Sequence, residues 1–281
     1  MTAATAAPPP CWAGLSLARP LVMGIINVTP DSFSGGGATP DAAALVEAGR
    51  AMRAAGAAIL DVGGESTRPG AAVVPPAAEI ARIVPVIRAL ARDGAVVSVD
   101  TRNAATMRAA LDAGARIVND VSGLRHDPEA APLVAAAGCP VILMHMRGTP
   151  ATMNAQAVYD DLLADVLAEL AATRDAALAA GVAPAAIALD PGFGFAKQGA
   201  QNVALLRALP SFRALGHPVL AGVSRKRFIG ELAAEPDPAR RDPGSIAAAL
   251  FAAGQGAAIL RVHDVPGTVQ ALRVWQALAA A

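Results

Sequence analysis

The sequence predicts a (β/α)8 barrel formed as a single domain, and three observations point to it. Eight short runs rich in Val, Ile and Leu recur along the 281 residues. None alternates apolar with polar side chains, which marks strands buried on both faces of a parallel sheet. Most stretches between them are long enough for a helix and rich in Ala, the best helix former. Eight strand–helix units in this length favour a closed TIM barrel. A doubly wound open sheet is the runner-up, but no GxGxxG follows the first strand.

Residues 1–18 read as a disordered tail and 19–281 as the barrel domain. The opening "MTAATAAPPP" has neither a basic start nor a continuous apolar stretch, so it does not read as a signal peptide. "LVMGII" at 21 is the first strand, and it empties into "NVTPDSFSGGG", whose three consecutive Gly suit a loop that moves or lets its backbone approach a ligand. The first helix is expected to take Thr39 as N-cap, Pro40 as its first residue and Gly56 as its stop. Strands then follow at "AAILDV" (57), "AVVSV" (95), "RIVND" (116), "PVILM" (140), "AIALD" (186), "HPVLAGV" (217) and "AAILRV" (257). Helical stretches fill 76–93, 102–113, 155–180, 200–214, 243–255 and 266–279. No domain boundary, internal repeat or charged block interrupts this order.

Composition narrows the function classes. Apolar residues are 54%, but much of this is Ala, and nothing is apolar enough to span a bilayer. Formal charge sums to zero, so no basic field exists to hold nucleic acid or an anionic membrane surface. Small molecules are the expected partners. Cys11 and Cys139 lie far apart without metal-type spacing and fit a reduced, cytoplasmic setting.

Polar groups collect just past the strands: Asn27, Asp61 with "GGESTRPGA", Asp100, Asn119 with Asp120, His145, Asp190 with "PGFGFAK", Ser224 with "RK", and Arg261 with His263. Any one of them alone would read as a turn or cap residue. In a barrel, however, that end is the mouth where active sites lie, so the topology makes them neighbours. Arg68, Lys226 and Arg261, with His263 close behind, imply an anion. Asn27 brings an oxygen suited to Mg²⁺, which completes its shell with phosphate oxygens and water. Arg227 reads as a solvated residue at a helix start. The acceptors and donors of Asp100, Asn119, Asp190 and Lys226 suit a flat heterocycle with N–H groups on one edge and a carbonyl. No His/Cys cluster, HExxH, GxSxG elbow or P-loop is present, and His145 reads as a satisfied strand-end histidine.

The motifs "MGIINVTPDSFSGGG", "DVGGESTRPGA", "SVDT", "IVNDVSG", "LMHMRGTP", "LDPGFGFAK", "GVSRK" and "RVHDV" closely resemble, in order from Val22 to Val265, those of the dihydropteroate synthase family. The resemblance implies a TIM barrel, usually a homodimer, that joins 6-hydroxymethyl-7,8-dihydropterin diphosphate to 4-aminobenzoate in folate synthesis, releases diphosphate and is the sulfonamide target. Carried over, it implies that Asp100, Asn119, Asp190 and Lys226 hold the pterin. Asn27, Arg68, Arg261 and His263 would hold diphosphate, with Asn27 on Mg²⁺. Thr67, Pro69, Phe195 and Ser224 would form the aminobenzoate site, Ser224 capping a helix that begins near Arg225. Catalytic roles fall to Asp100, Arg68, Lys226 and Asp31. One departure is visible: the family loop commonly reads "SFSDGG", and Gly35 stands where that Asp would be.

The resemblance also implies dissociation of diphosphate before amine attack, with no covalent enzyme nucleophile. Two rivals share the pterin contacts: a methyltransferase barrel passing a methyl group from methyltetrahydrofolate to a corrinoid, and a paralogue that binds pterin without turnover. The methyltransferase has no use for the diphosphate clamp that "STRPGA" and "RVHDV" imply, and the intact loops argue against the paralogue, whose only support is Gly35.

Overall fold

The computed structural model describes residues 10–29, 41–68 and 70–279. A short hairpin, β1 (Cys11–Trp12) and β2 (Leu15–Ser16), comes first. Each of the eight apolar runs then forms a strand: β3 (Leu21–Asn27), β4 (Ile59–Gly63), β5 (Val97–Asp100), β6 (Ile117–Asp120), β7 (Val141–Met144), β8 (Ile187–Asp190), β9 (Leu220–Ala221) and β10 (Ile259–Val262). These pair in parallel in the order β8-β7-β6-β5-β4-β3-β10-β9. A parallel bridge from Leu189 to Val219, with the Leu189 N–H donating to the Pro218 carbonyl at 2.9 Å, brings β9 back to β8. Eight parallel strands thus form a nearly closed TIM barrel.

Helices alternate with the strands: α1 (Ala42–Ala55), α2 (Pro76–Arg92), α3 (Ala104–Asp112), α4 (Ala130–Ala137), α5 (Leu162–Ala179), α6 (Gly199–Arg207), α7 (Leu209–Arg213), α8 (Arg227–Ala233), α9 (Asp242–Gly254) and α10 (Val265–Ala279). The α1 N-cap is Asp41, whose carboxylate accepts from the Ala43 N–H at 3.1 Å. Thr39 and Pro40, the expected cap and first helical residue, lie outside the described residues. Gly56 ends the helix as expected, at a left-handed φ of 112°. Helix α4 was not anticipated. Its Pro132 sits in the first turn, where a missing N–H costs nothing, and Leu133 and Val134 face the core.

Between residues 10 and 18 the expected disordered tail is replaced by the hairpin. Trp12 is 2% exposed and its indole N–H donates to the Ala186 carbonyl at 2.9 Å. It packs with Met23, Ile59, Ile117, Ile142, Ala188, Leu220 and Ile259, the apolar layer inside the barrel. A barrel interior must be filled at its lower end, and one indole supplies that volume.

The same layer explains where the site lies. In a strand, residues i and i+2 point to one face. Two residues beyond Ile59, Ile117, Ala188 and Ile259 stand Asp61, Asn119, Asp190 and Arg261. The inward face therefore changes from apolar to polar in one step along four strands, at their C-terminal ends. Outward-facing residues such as Val22, Leu60, Val118, Leu143, Leu189 and Leu260 pack in the larger core shared with helix residues such as Ile83, Leu90, Leu170 and Leu205.

Candidate active site

Strand register sets out the first row. Asn27 pairs with Gly63, Gly63 with Asp100, and Asp100 with Asn119, so four neighbouring strands present these residues at one level. Gly63 is needed there. A Cβ on it would stand 3.3 Å from the Asp100 Cβ, crowding the carboxylate.

Across the barrel Arg261 reaches back to this row. Its Nε donates to Asp61 Oδ2 and its Nη2 to Asp100 Oδ2, both at 2.6 Å. The Asn119 amide N–H also donates to Asp61 Oδ2, at 3.1 Å. Asp61 is fully buried, and its Oδ1 has no hydrogen-bond partner. Two carboxylates thus share one guanidinium. Burial, opposed by Arg261 and aided by Asp61, pushes the Asp100 carboxyl up to about 7. Asp61, seen in sequence as the first residue of a loop motif, is the strut that orients both Arg261 and Asn119.

On the far side Asp190 is 6% exposed and accepts from the Gly192 N–H at 2.7 Å. Burial raises its pKa, and the nearby Lys226 ammonium works against that rise. Lys226 is pushed down to about 8 by burial, with Asp190 opposing. Its Nζ donates to the Phe193 carbonyl and sits 4.5 Å from the centre of the Phe195 ring. Gly222 lies between: a Cβ there would be 3.8 Å from Asp190 Oδ2 and 3.9 Å from Arg261 Cβ. The four residues expected around a heterocycle therefore share one mouth.

The anion side is built differently from expectation in two respects. Ser224 does not cap a helix: α8 starts at Arg227 with Lys226 at its N-cap and no side-chain cap bond. The Ser224 hydroxyl instead accepts from the His263 N–H at 3.2 Å and lies 2.9 Å from His263 Nδ1. Between them Arg225 takes a left-handed φ of 59° and clamps both oxygens of Asp242 at 2.7 and 2.6 Å, which pins the turn and delays the helix. The second difference concerns Arg261, whose Nε and Nη2 are committed to carboxylates. Burial, then Arg225 and Arg261, push His263 down to about 3, so its imidazole is neutral in the free protein. Arg68 is exposed, yet close enough to add to that effect. Arg227 is solvated as expected, its side chain 90% exposed beside Glu231.

The loop after β4 carries Thr67 and Arg68, and a pair missed in the sequence anchors it. Arg102 donates to Glu65 through Nε at 3.1 Å and Nη2 at 3.0 Å, with both side chains 6% exposed. Glu65 Oε1 also accepts from the Val74 N–H at 3.2 Å. Glu65 belongs to the motif "DVGGESTRPGA", and Arg102 directly follows "SVDT". Parity along β4 and β5 does not reveal the pair, because each residue lies past its strand's end. Thr67 is half-buried in this loop. Asp31, Gly35 and Pro69 lie outside the described residues.

Residues 23–263 match the family model described as pterin binding enzyme. Over 266 residues the chain is 52% identical to the dihydropteroate synthase of Mycobacterium leprae (strain TN), covering 92% of this chain and 94% of that one. The chain belongs to the dihydropteroate synthase family. The Xanthomonas albilineans dihydropteroate synthase, solved with 4-aminobenzoic acid, superposes with a TM-score of 0.90 at 50% identity, covering 96% and 97% of the two chains. The same enzyme in complex with 7,8-dihydropteroate gives 0.86 at 47% identity, covering 95% and 96%. The chain thus has the family barrel at full scale, and the methyltransferase and turnover-free readings give way.

Proposed function

We propose that the chain condenses 6-hydroxymethyl-7,8-dihydropterin diphosphate with 4-aminobenzoate to 7,8-dihydropteroate and diphosphate, using the residues gathered at the mouth. The observation that carries this reading is the convergence of Asp100, Asn119, Asp190 and Lys226, with Arg261, on one end of the barrel. Asp190 and Asn119 offer acceptors to the N–H groups of the pterin edge, and the Lys226 ammonium suits its ring oxygen. Arg68, His263 and the free Nη1 of Arg261 receive the diphosphate. Thr67, Pro69, Phe195 and Ser224 receive 4-aminobenzoate, whose sulfonamide analogues compete there.

Among the described residues no group of three or more His, Cys, Asp or Glu could hold a metal. Mg²⁺ does not need one, because it takes one or two protein oxygens and fills its shell with phosphate and water. Asn27, half-buried at the end of β3, supplies such an oxygen and fits. When bound, Mg²⁺ neutralises charge on diphosphate and makes it a better leaving group.

The chain's own groups do the rest. Asp190, Asn119 and Lys226 hold the ring flat so that its CH₂–O bond points toward the Arg68 side. That bond breaks with its electron pair on the diphosphate oxygen, and the electron-rich dihydropterin stabilises the CH₂ cation. Asp61 and Asp100 share the single guanidinium between them, so a cation developing nearby favours the ionised form of Asp100, whose charge then offsets it. The 4-aminobenzoate nitrogen then forms the C–N bond and gives up a proton to the released diphosphate. Water must be kept out, since it would trap the cation as the alcohol. A homodimer in the cytoplasm is the setting we assign. Among the described residues no helix is long and apolar enough to cross a membrane.

The test is product formation by purified protein from the two substrates with Mg²⁺. 7,8-Dihydropteroate made at an enzymatic rate supports the reading, and its absence with both substrates bound rejects it.

A further inference from the structure

The loop after β8 is held by its main chain. Lys226 grips the Phe193 carbonyl. The Gly194 N–H donates to Asn202 Oδ1 at 2.6 Å, and the Tyr159 hydroxyl donates to the Ala196 carbonyl at 2.9 Å. Lys197 Nζ donates to the Phe195 carbonyl at 2.9 Å. This lysine is 5% exposed and makes a second contact, 2.8 Å to His145 Nδ1. His145, 1% exposed, lies 3.0 Å from Glu169 Oε2 on α5 through its Nε2. Arg147 holds Glu169 in turn, its Nε 2.9 Å from Oε1, and stacks 4.0 Å from the centre of the Tyr159 ring. A chain of side chains, buried at His145 and Lys197, therefore runs from α5 to the backbone of Phe195 and returns through Tyr159 to Ala196.

The direction of each bond follows from chemistry. Burial works to raise the Glu169 pKa, but Arg147 and His145 hold it below the ordinary range, so it is ionised and accepts only. His145 must then carry a proton on Nε2. Burial, reinforced by Lys197, keeps the imidazole neutral, so Nδ1 is an acceptor. Lys197 must donate to it, and even a neutral amine has the two hydrogens that Nδ1 and the Phe195 carbonyl require.

We propose that Lys197 is a positioning residue: through the Lys197–His145–Glu169 relay it fixes the main chain at Phe195 and thereby the aromatic wall against which 4-aminobenzoate lies. The proposal rests on the placement of Phe195 in the aminobenzoate site. Steady-state kinetics with both substrates varied tests it. Lys197→Met removes both donated bonds and is expected to raise the KM for 4-aminobenzoate about tenfold, the scale of one or two lost hydrogen bonds, and to move the KM for the pterin diphosphate less than about twofold. His145→Leu should behave alike. His145→Asn keeps an acceptor where Nδ1 stood and should restore a near-normal KM. Equal rises for both substrates, or no rise, overturn the relay. Phe195→Ala separates the two layers of argument: an unchanged aminobenzoate KM there sinks the site assignment, whereas a raised one with normal Lys197→Met kinetics sinks the relay alone. Long-range ¹H–¹⁵N spectra of the wild-type protein give an answer that requires no variant to fold. A pyridine-type Nδ1 and pyrrole-type Nε2 at His145 are expected, and the reverse tautomer contradicts the relay.

Discussion

Asp190 shows how much rests on single atoms. Its carboxylate is buried at the mouth, and in the proposed pterin site Asp190→Asn would replace one acceptor by a donor facing N–H groups. A lost hydrogen bond to a charged group costs about 1.5–3 kcal/mol, roughly a ten- to hundredfold loss in affinity. We expect calorimetry to show that weakening for the pterin, with folding retained. At His263 the sign of the local field decides. Burial, reinforced by neighbouring arginines, puts its pKa at about 3 in the free protein, whereas a bound diphosphate would bring negative charge and favour the imidazolium. A pKa raised by binding means that the complex holds more protons than its parts between the two values. Calorimetry near pH 6 in buffers of different ionisation enthalpy should therefore report proton uptake with diphosphate, and its absence in His263→Gln. These mouth residues were legible because strand ends are legible. Lys197 was not: in "GFGFAKQG" it reads as a loop lysine, and it is buried because the loop folds back beneath the end of β7.

At the scale of elements, all eight barrel strands followed from runs of Val, Ile and Leu, and the six later helical stretches were found, though that at 155–180 is helical only from Leu162 and that at 200–214 divides into α6 and α7. The hairpin was missed. "CWAGLS" contains no run of strand length, and its two-residue strands are fixed by where Trp12 must go rather than by local propensity. Trp12→Ala removes an indole that is 2% exposed inside the apolar layer, together with its bond to Ala186. The expected loss is about 3–5 kcal/mol, visible as a lower Tm, with kcat at room temperature nearly unchanged because the mouth lies at the other end. A Tm equal to that of the wild type would mean that the hairpin only rests on the barrel. Helix α8 was expected to start near Arg225, but the Arg225–Asp242 fork holds the preceding turn in place. A charge pair seventeen residues apart leaves no local sequence signal.

For the whole molecule, the barrel turns one rule of parity into a site: the inward face is apolar at Ile59, Ile117, Ala188 and Ile259 and becomes polar one step later. The loops then divide the work. In the proposed reaction the loop after β4 would bring Arg68 to the diphosphate and Thr67 to 4-aminobenzoate, and it is braced at its base by Arg102 and Glu65. Without an anion, Arg68 is an exposed cation, and ordering its loop costs roughly 1–2 kcal/mol per residue with little to offset it. If diphosphate supplies that contact, as proposed, the second site is completed when the first ligand is present, and the coupling must be reciprocal. Titrating a sulfonamide or 4-aminobenzoate into the protein by calorimetry, with and without diphosphate and Mg²⁺, tests this directly. Binding at least about tenfold tighter with diphosphate and Mg²⁺ is the expected result, and equal affinity in both would contradict it by showing a site that exists before its partner arrives.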